Sequence, residues 1–274
     1  MIINLIKTFS ISITIFLLCG ELSSSLAQNI PNDSTQKKNE IQKDTTGKTI
    51  PNTKDEFDQS GFNFGFNVAI NGTFIVHQQI YGLSRLMPYS PTIKFAAGFI
   101  AGYNFDPSEG VVFGFGYCGA GQNYHDNLDG ETFTKSVKMS YFQIPVMFKY
   151  IFNSETTQPY IMGGIQLGFL TSSSVVVNDS IRYPNALPYN QGSTSSTKFF
   201  QSTDLGFRFE LGDDFMISNH IFFNAGVNVY IGLPDINNPD LRHEFIFRGN
   251  DYPYKKSSNL IVGIQAGIHY IIKE

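Results

Sequence analysis

From residue 61 onward the chain alternates with a period of two. Phe62, Phe64, Phe66, Val68 and Ile70 are separated by Asn63, Gly65, Asn67 and Ala69. Successive side chains of a strand point to opposite faces, so this stretch has one bulky apolar face and one small or polar face. The same alternation returns seven more times, over 95–103, 111–117, 142–150, 161–169, 205–211, 221–229 and 260–270. The faces opposite the apolar ones are equally consistent: Gly98, Gly114, Gln143, Gln166, Arg208, Asn224 and Gln265 are typical of them. Eight such segments with no helical periodicity between them make an all-β chain.

Two closed arrangements fit alternating strands. A lipocalin-like soluble barrel turns its apolar face inward and leaves Gly, Asn and Gln to cover the outside. The reverse arrangement turns aliphatic and aromatic side chains toward lipid and fills a narrow interior with small polar residues. Charged residues are only 15% of the chain, while Phe occurs 26 times and Gly 25 times. Glycines have no side chain to build an apolar core, but they suit a crowded, curved wall. The lipid-facing arrangement is therefore expected.

Connection lengths give a separate criterion. Those at 106–109, 153–158 and 213–219 are short; those at 75–92, 121–135, 171–201 and 233–257 are long. Short and long connections in alternation predict an eight-stranded antiparallel transmembrane β-barrel with short periplasmic turns and long external loops. Tyr103, Tyr150 and Tyr270 then fall at the periplasmic end, where a girdle of interfacial aromatics is expected. Lipid is the first partner implied. A net charge of −4 with no basic run longer than a lysine pair argues against nucleic acid.

The first 27 residues read as an export signal: Lys7, an apolar run at 9–18 too short to span a bilayer, and Ser25-Leu26-Ala27 before a cleavage point between Ala27 and Gln28. An uncleaved anchor is one alternative. A lipoprotein signal at Cys19 is another, disfavoured because Leu18 stands where a small residue is needed. Residues 28–60 carry Asn, Gln, Thr, Lys and Asp with few large apolar side chains, the composition of a disordered periplasmic leader. The barrel domain is expected at 61–274. Cleavage leaves Cys118 as the single cysteine, so no intrachain disulfide is available.

The stretch Gly114-Phe115-Gly116-Tyr117-Cys118-Gly119 matches G-x-G-x-x-G. A dinucleotide loop needs a helix after its glycines. Here Val111, Phe113, Phe115 and Tyr117 alternate straight through them, so the motif reads as a strand. Gly114, Gly116 and Cys118 are expected on its inner face, with Gly119 and Gly121 leading into an external loop.

The segments SYFQIPVMFKYIF (140–152) and QPYIMGGIQLGFL (158–170) carry a resemblance. Gln143, Ile144, Pro145, Lys149, Tyr150, Pro159, Tyr160, Gly164 and Gly168 resemble a pattern in the small outer-membrane β-barrel family that includes PorT, a protein-secretion component. The resemblance covers about 61–274. It implies a bacterial outer-membrane location and other envelope or secretion proteins as partners.

Lys149, Asp204, Arg208, Glu210 and His269 lie on inward faces. Buried charge without a partner is expensive, so a polar network is expected in the lumen, with Glu210 meeting Arg208 or Lys149. Pro145 has no ladder donor, which predicts a local bulge. No cofactor, metal or catalytic residue is assigned. His77 with Ser84, and His125-Asp126, lie in loops with no spacing that forces a base onto a nucleophile. NLDGE (127–131) lacks the alternating oxygen ligands of a calcium loop. Asn71-Gly-Thr and Asn178-Asp-Ser match a glycosylation acceptor, which carries little meaning in a bacterial envelope. The loops at 171–201 and 233–257 mix aromatic, hydroxyl and basic side chains, including Arg242, His243, Arg248, Tyr252, Tyr254, Lys255 and Lys256. They suit recognition of a protein, glycan or anionic headgroup, or packing on each other as a lid. A structural, adhesion or secretion-associated role is expected. A narrow porin, or a lipid-modifying enzyme at the rim, are the alternatives.

Overall fold

The computed structural model describes residues 59–77, 88–128, 131–152, 157–178, 192–195, 199–240 and 256–272. The expected signal peptide with its Ala27–Gln28 junction, and the leader up to residue 58, lie outside them. The described residues form ten strands: β1 (Gly61–Val76), β2 (Tyr89–Ser90), β3 (Ile93–Asn104), β4 (Glu109–Leu128), β5 (Glu131–Ile151), β6 (Gln158–Asn178), β7 (Gly192–Ser195), β8 (Thr203–Ser218), β9 (Ile221–Gly232) and β10 (Ser258–Ile272). Eight of them pair antiparallel in the cycle β1–β3–β4–β5–β6–β8–β9–β10, while β2 adds to β4 and β7 to β6. The ring closes where β1 meets β10, from Phe62↔Ile272 to Val76↔Ser258. Closure leaves no open sheet edge, the condition for a sheet in hydrocarbon. Among the described residues no helix is long and apolar enough to cross a membrane.

The apolar faces point outward. Phe64, Phe99, Phe113, Phe148, Ile165, Phe209 and Ile268 are all exposed. The inward faces carry Asn63, Asn67, Gln143, Gln166, Asn224, Asn228 and Gln265, all buried. The inside-apolar soluble arrangement is thereby excluded.

Three strands are longer than the expected connections allow. β4 has 20 residues and β5 and β6 have 21 each, about twice what a tilted strand needs to cross a bilayer. The connection expected at 121–135 is not a loop: the two strands stay paired up to Leu128↔Glu131. Gly119 and Gly121 accordingly sit inside β4, Gly121 with a φ of +121° that an L side chain rarely adopts. β6 runs on to Asn178, through the first part of the loop expected at 171–201, and β8 runs to Ser218 through most of the turn expected at 213–219.

Above Tyr117 the alternation changes sign. Ala120, Tyr124, Val137 and Met139 point inward and are buried, while Lys138 is exposed. On β6 the change uses a bulge. Ser140 pairs with Ser172 and Tyr141 with Leu170, so Thr171 is an extra residue. The inward set then shifts from Tyr160, Met162 and Gln166 to Ser173 and Val175.

No bulge forms at Pro145, contrary to expectation. Its register with β6 is continuous, Ile144↔Leu167, Pro145↔Gln166, Val146↔Ile165. On the β4 side the pairs Phe113↔Val146 and Gly116↔Gln143 keep the same offset, with pairing interrupted only between them. A Cβ on Gly114 would stand 3.2 Å from the proline ring. The missing side chain makes room for the ring, and the register is unbroken.

Candidate functional site

The interior is layered along the barrel axis. At the long-loop end, the strand extensions and the adjoining segments build an apolar cap: Ile75, Ala120, Tyr124, Val137, Met139, Val175, Phe199, Phe200 and Ile236 are all buried there. At the short-turn end Val112, Met147, Ile151, Tyr160 and Met162 form a smaller apolar floor. Between them lies a polar middle with the Arg208–Glu210 pair, while the Lys149–Asp214 pair is set in the floor, where Lys149 stands between Met147 and Ile151 on the inward face of β5.

Arg208 and Glu210 form the first. They are two residues apart on β8, on the same inward face. Arg208 Nε donates to Glu210 Oε1 at 2.6 Å, and Glu210 is 1% exposed. Gln265 Nε2 donates to the other carboxylate oxygen at 2.6 Å. Arg208 also donates to Gln166 Oε1 (2.9 Å) and Gln265 Oε1 (3.1 Å). The guanidinium thus holds β6, β8 and β10 together through three acceptors.

Lys149 makes the second pair and does not join Glu210. Its Nζ lies 2.5 Å from Asp214 Oδ2, with both side chains almost completely buried. The ammonium also sits over the rings of Tyr160 (4.7 Å) and Phe222 (5.4 Å). Phe222 stacks on His269 with centroids 4.6 Å apart. His269 Nε2 hydrogen-bonds the Asn67 side-chain oxygen at 2.8 Å. Asp204 stands apart near the cap, where Asn259 Nδ2 donates to its Oδ2 at 2.8 Å. All five residues singled out from the sequence face the lumen, but they sit in three groups. Asp214 was missed because the strand was ended too early. Phe215 and Ile217, exposed on the outer face, were the signal that β8 continues.

Gln59 is 0% exposed and closes the short-turn mouth. Its carbonyl accepts from Asn104 Nδ2 at 2.8 Å. Tyr103, Tyr150 and Tyr270 are exposed at this end. They lie against Phe62 (4.6 Å), Phe152 (5.0 Å) and Phe64 (5.7 Å) respectively.

Other sequence candidates separate clearly. Asn71 is buried in the lumen, 2% exposed, out of reach of any modifying enzyme. Cys118 is buried among the cap residues, as a small filler. Among the described residues no hydrogen bond joins the side chain of His77 or His125 to a serine or carboxylate, and Ser84 lies outside them. No group of three or more His, Cys, Asp or Glu among the described residues is placed to hold a metal ion. Arg242, His243, Arg248, Tyr252, Tyr254 and Lys255 lie outside the described residues. Lys256 Nζ donates to the Leu233 carbonyl at 3.1 Å. Lys135, on the β5 extension, went unnoticed in the sequence; it is buried, and burial pushes its ammonium down to about 7.

A family model described as "Outer membrane protein beta-barrel domain" matches residues 39–238. No curated protein matches the chain. Among solved structures, Neisserial surface protein A is similar at 14% identity over 78% of this chain and 98% of that one, with a TM-score of 0.41. OprG from Pseudomonas aeruginosa is 14% identical over 79% and 98%, with a TM-score of 0.43. Ail, the attachment invasion locus protein of Yersinia pestis, in complex with the heparin analogue sucrose octasulfate, is 11% identical over 76% and 99%, with a TM-score of 0.37.

Proposed function

Because the chain belongs to the outer membrane protein beta-barrel domain family, we propose that it is a closed, non-conducting and non-enzymatic barrel of the bacterial outer membrane. It serves as a structural, adhesion or secretion-associated component. The observation that carries this reading is the filled lumen. An apolar cap, the Arg208–Glu210 pair and an apolar floor that contains the buried Lys149–Asp214 pair follow one another along the axis. Eight strands enclose a space that side chains normally fill, and here they leave only a small cavity of about 50 Å³ bordered by Asn67, Gln143, Arg208 and Gln265. Function then belongs to the outer surface and to the strands that project beyond the apolar band.

Purified full-length protein in planar lipid bilayers should give no stepwise current under applied voltage. A stable, ohmic conductance would sink this reading in favour of a narrow porin.

The secretion-associated version rests on the PorT-like motif. Its two halves supply Lys149 and Tyr160, which meet at 4.7 Å over the barrel floor. A motif whose members pack together serves to close this mouth, and that supports a shared architecture more than a shared partner. The proposal also includes export, with Tyr103, Tyr150 and Tyr270 as the periplasmic girdle and residues 28–60 as a tether behind a cleaved signal. Mass spectrometry of protein from outer membranes should find Gln28 as the first residue; a chain still beginning at Met1 would overturn the cleavage.

A further inference from the structure

The upper limit of the apolar band can be read residue by residue. On β5, toward the long-loop end, the side chains outside the lumen run Val146, Ile144, Phe142 and then Ser140, Lys138 and Ser136. On β4 they run Phe113, Phe115 and Tyr117, and on β6 Leu167, Phe169 and Thr171. The changeover is marked by hydrogen bonds on the outer face. The Tyr117 hydroxyl and Ser140 Oγ are 2.7 Å apart, and Thr171 Oγ1 donates to the Ser140 carbonyl at 2.9 Å. Polar groups in this position face lipid headgroups.

Two lysines stand at this level. Lys138 is exposed one outward position above Ser140. Lys94 comes from β3, just above Ala96↔Cys118, where the direct β3–β4 pairing ends. Its stem lies against Gly119: a Cβ there would stand 3.1 Å from Lys94 Cβ and 3.4 Å from Cδ. The glycine leaves the track along which the lysine crosses β4 toward β5. Gly119 pairs with Ser140 and Gly121 with Lys138, so the Lys94 stem lies one outward position below Lys138 on the adjoining strand. Among the described residues neither lysine has an ion-pair partner. Flanking Lys94, Ile93 and Phe95 are 66% and 67% exposed, the most exposed large apolar side chains of the described residues.

We infer that Lys94 and Lys138 form a binding site for the phosphate group of an outer-leaflet lipid, with Ile93 and Phe95 against its acyl chains. Two cations held together destabilise each other, and an anion between them removes the repulsion. At the edge of hydrocarbon the effective dielectric is low, so each ammonium–phosphate contact is stronger than in bulk water. The apolar flank distinguishes a lipid from a free ion. The inference is independent of whether the lumen conducts.

The test uses the full chain in detergent micelles, with lipid binding followed by native mass spectrometry. The probes are lipopolysaccharide carrying its lipid phosphates, the same lipopolysaccharide after enzymatic dephosphorylation, and inorganic phosphate alone. The parent protein should retain the phosphorylated lipid, and at least about tenfold less of the dephosphorylated one. The Lys94→Gln/Lys138→Gln variant should lose that preference, while Lys138→Arg keeps it. Heat-modifiable gel mobility shows that each variant is folded. Equal retention of both lipids, or an unchanged preference in the folded double variant, would overturn the lipid-phosphate site. Inorganic phosphate displacing the lipid at equal concentration would do so too, by showing a site for the free ion.

Discussion

Replacing Lys149 by methionine should lower the stability of the barrel by about 3–5 kcal/mol, the range for leaving one member of a buried ion pair without its partner. Methionine preserves the length of the stem and its packing over Tyr160 and Phe222. What it removes is the cation 2.5 Å from an Asp214 carboxylate whose side chain has no exposure to water. Removing both charges, as Lys149→Met/Asp214→Leu, should recover most of the loss, because an apolar pair of similar volume carries no desolvation penalty. The chain has no Trp, so urea unfolding in lipid vesicles is best followed by circular dichroism or by heat-modifiable mobility. A single variant as stable as the parent would show that the pair contributes nothing to closing the lower lumen.

A larger effect is expected at Gly164. A Cβ at this position would collide with the Val146 carbonyl oxygen and stand 2.6 Å from Met147 Cα, both backbone atoms of the neighbouring strand. No rotamer change relieves that, so β5 and β6 must separate in the middle of the wall. Each backbone group unpaired in hydrocarbon costs several kcal/mol. Gly164→Leu should therefore abolish the heat-modifiable folded form in outer-membrane fractions. The adjacent Gly163 provides the control. A Cβ there meets only the Phe209 ring, at 3.4 Å and beyond, so Gly163→Ala should stay within roughly 0.5 kcal/mol of the parent. Equal tolerance at both positions would mean that the wall is less tightly packed than the geometry implies.

The sequence was legible wherever one solvent prevailed. Between the two ends of the apolar band, Phe, Ile, Leu and Val face lipid at every second residue, and eight repeats of that pattern give the ring and its inside and outside. Legibility failed at Tyr117. Beyond it the outside is water, so Val137 and Met139 turn inward and Lys138 outward. A strand whose alternation reverses looks like a loop when only one polarity is sought, and the paired residues between Gly121 and Lys135 were lost for that reason. The bulge at Thr171 was hidden likewise, because an inserted residue leaves no mark in a Ser-rich run. At Pro145 a rule about missing ladder donors predicted a bulge, but the absence of a side chain on Gly114 accommodated the ring instead. Of the lumen charges, the inward direction was readable from parity alone. Which of them pair was not, because partners across a barrel are set by register and shear, and those are properties of the closed ring.

The long hairpin of β4 and β5 has a mechanical consequence. β4 and β5 keep their ladder to Leu128↔Glu131, roughly ten residues or ~30 Å of strand beyond what crossing the bilayer requires. A boom of paired backbone on a barrel seated in lipid does not fold back as a single-chain loop does. Whatever meets the tip therefore meets it at a standoff fixed by the backbone repeat, clear of the headgroup layer. Changing that standoff would take removal of strand residues in opposite pairs, two from each arm, so that every side chain keeps its face.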